Sequence, residues 1–158
     1  MRDHRLRALV IGALFADTVG WSQSNEILDS LIAQDRATLG PAAYLALTAA
    51  GLVDVDASVE DAVSDLRSRP WGFAEATAED PVTLGSLGYL VMRAFELKGG
   101  VLYSIFGGRR YAARELVYRG WVPGSSAAGR PLSGREVTHV VGKVLESLGQ
   151  RVEEEVSP

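Results

Sequence analysis

The chain contains no cysteine. Disulfides and thiolate metal centres are therefore excluded. Histidine is nearly as scarce, with only His4 and His139, so a histidine-based metal cluster is not expected. Positive charge is also in deficit: 16 basic residues face 20 acidic ones, for a net charge of −4. With no polybasic tail, the chain lacks the basic footprint of a dedicated nucleic-acid binder. Long apolar runs are missing too. The greasiest internal stretch, Leu84 to Phe106, is interrupted by Arg93, Glu96, Lys98 and a glycine pair, and cannot cross a ~30 Å hydrocarbon core. What remains is a 158-residue chain that is 47% hydrophobic, enough for one globular domain with a modest core.

The N-terminus is patterned differently from the rest. Arg2, Arg5 and Arg7 precede the uninterrupted apolar run Ala8 to Ala16, and small residues follow at Gly20, Ser22 and Ser24. This is the order of a cleavable export signal, expected over residues 1–22, with the mature chain beginning near Ser22 to Asn25. An uncleaved anchor or an amphipathic first helix would use the same residues. Without residues 1–24, thirteen basic residues stand against eighteen acidic ones and the net charge is −5. No cysteine adjoins the cleavage region, so lipidation there is excluded. Export without disulfides fits the periplasm or cell surface of a bacterium better than a small eukaryotic secreted domain.

Internal similarity is the most informative feature of the remainder. Thr38-Leu39-Gly40-Pro41-Ala42-Ala43-Tyr44-Leu45 matches Thr83-Leu84-Gly85-Ser86-Leu87-Gly88-Tyr89-Leu90 at an offset of 45, and a weaker copy begins at Leu132-Ser133-Gly134-Arg135-Glu136-Val137. Each copy opens on a hydroxyl residue suited to capping a helix N-terminus. In the third, Val137, Val140, Val141, Val144, Leu145 and Leu148 follow at helical spacing. A second element recurs at an offset of 50: Ala62, Leu66, Arg69 and Trp71 align with Ala112, Leu116, Arg119 and Trp121. Alanine and leucine at i and i+4 share a helix face, and Pro70 or Gly120 stops the helix before the tryptophan. The expected architecture is all-α: two helix-loop-helix units over 38–72 and 83–121, then a closing half unit over 132–149.

This order of elements resembles the S-layer homology (SLH) family. Ala112-Ala113-Arg114-Glu115-Leu116-Val117-Tyr118-Arg119-Gly120-Trp121-Val122-Pro123-Gly124 is similar to the first part of its repeat. Gly129-Arg130-Pro131-Leu132-Ser133-Gly134-Arg135-Glu136 is similar to its loop and second helix start. The resemblance covers residues 27–149, leaving 150–158 as a polar tail. It implies a compact pseudo-threefold helical bundle that attaches non-covalently to peptidoglycan-linked polymers. The sequence departs from the family pattern at Leu39, Leu84 and Gly134, where a recognition arginine is expected after the hydroxyl residue, with Arg135 one position late.

Candidate chemistry is sparse. Asp54, Asp56, Glu60 and Asp65 echo a calcium loop, but Val59 stands where the turn needs glycine; Asp56 or Ser58 capping the next helix accounts for the run. Gly99-Gly100 and Gly107-Gly108 could hold an anion before Arg109-Arg110, or serve as linkers around Val101–Phe106. His139 has no nominated partner and reads as an interface histidine. Ser133 and Glu136 read as a capping box. No catalytic residue, metal ligand or cofactor is expected, and the chain is not read as an enzyme. The candidate binding residues are Arg109, Arg110, Arg114, Trp121, Arg130 and Arg135: guanidinium pairs with carboxylate or phosphate, and an aromatic stacks on sugar rings. The competing account is charge pairing between this Arg-rich half and the acidic half around Asp54 to Asp65. The expected partner is an anionic wall glycan, or alternatively another envelope protein contacted by a periplasmic interaction module. Neither nucleic acid nor, beyond the signal segment, membrane is expected.

Overall fold

The computed structural model describes residues 23–156, with side chains to residue 150. The expected export signal lies outside the described residues. Helix α1 covers 23–32, followed by α2 (Leu39–Ala49), α3 (Val59–Ser68), α4 (Leu84–Ala94), α5 (Val101–Phe106), α6 (Gly108–Tyr118) and α7 (Gly134–Val156). Among the described residues there are no strands, only isolated bridges pairing Thr38 with Pro81 and Thr83 with Pro131. The fold is all-α.

Local chemistry sets where the helices begin. Ser58 and Asp61 close a capping box on α3, and Thr83 and Ser86 close one on α4. Ser133 and Glu136 bond reciprocally at the start of α7, as the sequence predicts. In α2 the corresponding third position is Pro41, which has neither an N–H nor an acceptor side chain. Gln34 substitutes: its Oε1 accepts the Thr38 N–H at 2.8 Å, as Ser86 Oγ accepts that of Thr83 at 2.9 Å.

Helices α2, α4 and α7 pack on one another, α3 packs on α2, and α6 packs on α4. Leu47, Leu66, Leu84, Leu87, Leu90, Leu116 and Val137 are fully buried between them. Of the apolar series expected on α7, Val137, Val140, Val141 and Val144 are buried. Leu145 is exposed, because a step of ~100° past Val144 carries it off the core face.

At the centre, three buried residues form a closed ring of backbone hydrogen bonds. Ala37 donates to Leu132 (2.8 Å), Leu132 to Val82 (3.0 Å) and Val82 to Ala37 (2.8 Å). Just beyond the ring, helix N–H groups that have no intrahelical acceptor bond to loop carbonyls. Leu39 and Gly40 donate to Asp80 and Ala78, Leu84 and Gly85 to Arg130 and Ala128, and Gly134 to Gln34. The loops approach so closely that a Cβ on Gly40 would lie 2.9 Å from that of Ala78, and one on Gly85 would lie 2.9 Å from both Cβ and O of Ala128. A Cβ on Gly134 would overlap the Leu31 carbonyl. The glycine of each Thr-Leu-Gly is thus required by packing, and Gly134 has no room for the arginine the SLH pattern expects there.

The second recurring element has matching geometry in both places. Arg69 pairs with Asp65 (Nε–Oδ2, 2.6 Å) and lies 4.9 Å over the Trp71 ring. Arg119 pairs with Glu115 (Nε–Oε1, 3.0 Å) and lies 5.0 Å over Trp121. All four ion pairs among the described residues are local: 65–69, 115–119, 130–136 and 143–146. None joins the acidic half to the Arg-rich half, so the expected cross-pairing does not form there. An i,i+4 partner reaches its arginine with less side-chain ordering than a distant one requires.

Candidate functional site

The loop from Gly72 to Pro81 crosses the start of α2, where Leu39 and Gly40 bond to Asp80 and Ala78, and meets α6, bounding a cleft of about 390 Å³. Its polar lining consists of Glu75, Asp80, Ser86 and Arg109. Arg109, in the first turn of α6, donates from Nη2 to the Gly72 carbonyl at 3.1 Å and lies 4.7 Å over the Phe73 ring. Phe73 is buried, with its ring centroid 6.4 Å from that of Tyr89, so the guanidinium is seated on a fixed aromatic floor. Such stacking leaves the guanidinium edge available for hydrogen bonding. The Asp80 carboxylate is held by the backbone amide (3.1 Å) and then the hydroxyl (2.9 Å) of Thr77, both of which keep it below the usual carboxylate range. The Ser86 hydroxyl is committed to Thr83. The cleft therefore offers one cation and two carboxylates on an apolar base.

Trp121 and Arg135 share a separate cleft of about 310 Å³ with Glu136 and His139. Trp121 is buried, with Arg119 over its ring; His139 is exposed beside it. Burial alone would raise the Glu136 pKa. Hydrogen bonds from the Ser133 amide, the Arg130 guanidinium and the Ser133 hydroxyl outweigh it and hold the carboxyl below its ordinary range. Arg130 Nη1 lies 2.8 Å from Glu136, while Nε and Nη2 are buried without a hydrogen-bond partner.

No protein-family model, curated protein or solved structure matches the chain. Its own geometry carries the functional reading. Of the six residues nominated from sequence, Arg109 lines the first cleft, and Trp121 and Arg135 line the second. Arg130 is tied to Glu136 at the start of α7. Arg110 and Arg114 are exposed on α6 and line neither cleft.

Phe73, Glu75 and Asp80 do not stand out in the sequence. The available signal is Asp80-Pro81-Val82-Thr83 against Arg130-Pro131-Leu132-Ser133, a match at offset 50 that marks the crossing loop. A further cleft is lined by Asp54, Asp56, Asp61 and Asp65. Asp61 is engaged by the Ser58 hydroxyl and amide, which lower its pKa in that order, and Asp65 by Arg69. Ser58, not Asp56, caps α3. No cluster of three or more acidic or histidine side chains suited to a metal ion occurs among the described residues. No described helix is long and apolar enough to cross a membrane.

Proposed function

We propose that the chain is an exported, SLH-like module that binds an anionic cell-wall glycan non-covalently, seated at the Arg109 cleft. The observation that carries this reading is the cleft itself, where a loop following α3 and an arginine from α6 supply one cation, a buried aromatic base and two carboxylates. A guanidinium pairs with an acidic sugar substituent, and carboxylates accept sugar hydroxyls. The pseudo-threefold arrangement is supported by the ring through Ala37, Val82 and Leu132 and by the two Arg-Trp stacks. With Leu39, Leu84 and Gly134 at the family's arginine sites, recognition moves to Arg109 on α6, which packs on α4.

Co-sedimentation with purified sacculi tests the binding reading. Wild type is expected in the pellet; Arg109→Ala is expected to lose at least ten-fold in affinity, as does truncation of one partner of a charge-assisted contact. The surface double variant Arg110→Ala/Arg114→Ala is expected to bind as wild type. Wild type remaining in the supernatant, or Arg109→Ala pelleting unchanged, refutes the site. Export is tested by the mass of the protein recovered from the envelope fraction, which should begin near Ser22 to Asn25.

A further inference from the structure

Helix α5 contradicts the usual rule that a helix buries its apolar face. Val101, Leu102, Ile105 and Phe106 are 75%, 52%, 66% and 63% exposed, and no residue of α5 is buried. The segment is nonetheless held at a defined place. At its base, buried Glu115 accepts the Gly100 N–H with Oε2 (3.0 Å) and Arg119 Nε with Oε1 (3.0 Å); Arg119 also donates to the Lys98 carbonyl. Half-buried Tyr103 packs against the core, and its ring fills the space that a side chain at Gly99 would need. At the far end, Gly107 (φ 60°) and Gly108 (φ 80°) take the left-handed conformations that let α6 start immediately. Buried Glu115 and its half-buried partner Arg119 thus hold a knob whose outer surface is greasy.

The surroundings of the knob are cationic. From Leu97 to Arg114 the chain carries no acidic residue and, besides Arg109 with its guanidinium seated over Phe73, carries Lys98, Arg110 and Arg114, within a protein of net charge −4. The flanking acids are Glu96 and the already paired Glu115. On α6, exposed Arg110, Arg114 and Tyr118 follow at four-residue spacing, so they line one face. Tyr111 stacks on Phe106 at 5.3 Å and joins the aromatic surface to that face. Four side chains exposed to this degree present on the order of 400 Å² of apolar surface, about half of the ~800 Å² per partner of a stable protein interface. An apolar tip with a collar of arginine and tyrosine matches the layers of a lipid interface, where the tip enters the acyl boundary and the collar meets anionic headgroups.

We infer that α5 and the outer face of α6 form a docking site for an anionic lipid bilayer, separate from the Arg109 cleft and from the N-terminal segment. The absence of cysteine makes the test direct. In the full chain, Ile105→Cys labelled with an environment-sensitive fluorophore reports the knob, and Val55→Cys, also at an exposed position, reports a remote loop. With phosphatidylcholine vesicles containing phosphatidylglycerol, the label at 105 is expected to brighten and blue-shift while the label at 55 stays aqueous. Pure phosphatidylcholine is expected to give a much weaker response. Adding Arg110→Ala and Arg114→Ala should weaken partitioning about five-fold per residue, about 25-fold together, at low salt. Adsorption through the N-terminal apolar run alone leaves the label at 105 aqueous, and that result overturns the inference. So do equal responses at 55 and 105, equal binding to neutral vesicles, and a blue shift at 105 that follows protein concentration without lipid, which would identify self-association. Sacculi take no part in this assay, so its outcome is independent of the glycan site.

Discussion

Replacing glycine by alanine should have opposite consequences at two helical positions of this fold. Gly142 lies on the exposed side of α7, and no atom stands within 4 Å of the place its Cβ would take, so Gly142→Ala should stabilise by about 1 kcal/mol through helix propensity alone. Gly85 sits in the first turn of α4, where a Cβ would lie 2.9 Å from both Cβ and O of Ala128 and 3.2 Å from Arg109 Cβ. Carbon atoms rest about 3.5–4.0 Å apart, so the loop would have to retreat by most of an ångström. That retreat also stretches the 2.8 Å bond from Gly85 N to Ala128 O. Overpacking of this kind costs about 1–3 kcal/mol and a weakened hydrogen bond about 1 kcal/mol more, against about 1 kcal/mol of propensity gained. The net expectation for Gly85→Ala is a loss of about 2 kcal/mol, placing the two variants about 3 kcal/mol apart. Urea unfolding followed by far-UV circular dichroism reads this difference as midpoints on opposite sides of wild type at a common slope. Equal or greater stability of Gly85→Ala would refute the view that the loop carrying Ala128 is pinned against the start of α4. Gly134→Ala, which drives a methyl into the Leu31 carbonyl, should be the most damaging of the set.

Three further expectations concern polar groups. Gln34→Ala should cost about 1 kcal/mol in urea unfolding, and Thr38→Ala distinctly less, because the Gln34 side chain satisfies the Thr38 N–H whereas the Thr38 hydroxyl caps no amide. Because the folded Glu136 pKa lies below the unfolded value of about 4.3, its contribution is complete above that pH and disappears as pH falls through the folded value. Glu136→Gln should accordingly flatten the decline in stability measured from pH 5 towards pH 3. Glu115→Ala strands Arg119 and the Gly100 N–H; it should cost about 2–3 kcal/mol and accelerate amide exchange at Gly100, while Glu115→Gln, which keeps an acceptor for Gly100, should exchange more slowly than Glu115→Ala.

The helix starts were legible because their determinants are local. Ser58 with Asp61, Thr83 with Ser86, and Ser133 with Glu136 each close within three residues, and the valines of α7 recur at the helical period. The all-α class follows from the same signals. The helicity of Val101–Phe106 was not legible: α5 has no buried face and hence no apolar period to detect, so the sequence shows only a short segment between glycine pairs that read as linkers. The Arg109 cleft was visible only through its arginine. Its opposite wall is a loop whose path is fixed by bonds from Leu39 and Gly40 to Asp80 and Ala78, about 40 residues away in sequence, beyond the reach of a local pattern. Arg110 and Trp121 seemed neighbours because they are close in the chain, yet Trp121 turns into the core beneath Arg119.

A hydrogen-bonded ring has no first or last member. An open stack of helical units can be lengthened or shortened at its ends, whereas the ring through Ala37, Val82 and Leu132 closes on itself, and a further unit could enter only by breaking it. Its closing bond joins residues 95 positions apart, from Ala37 N to Leu132 O. Loop closure of that length delays the reward of contact formation until late in folding. A chain ending before Leu132 would leave the Ala37 amide and the Val82 carbonyl without partners, however well its individual helices were capped. During synthesis the ring therefore cannot close until Leu132 has been made.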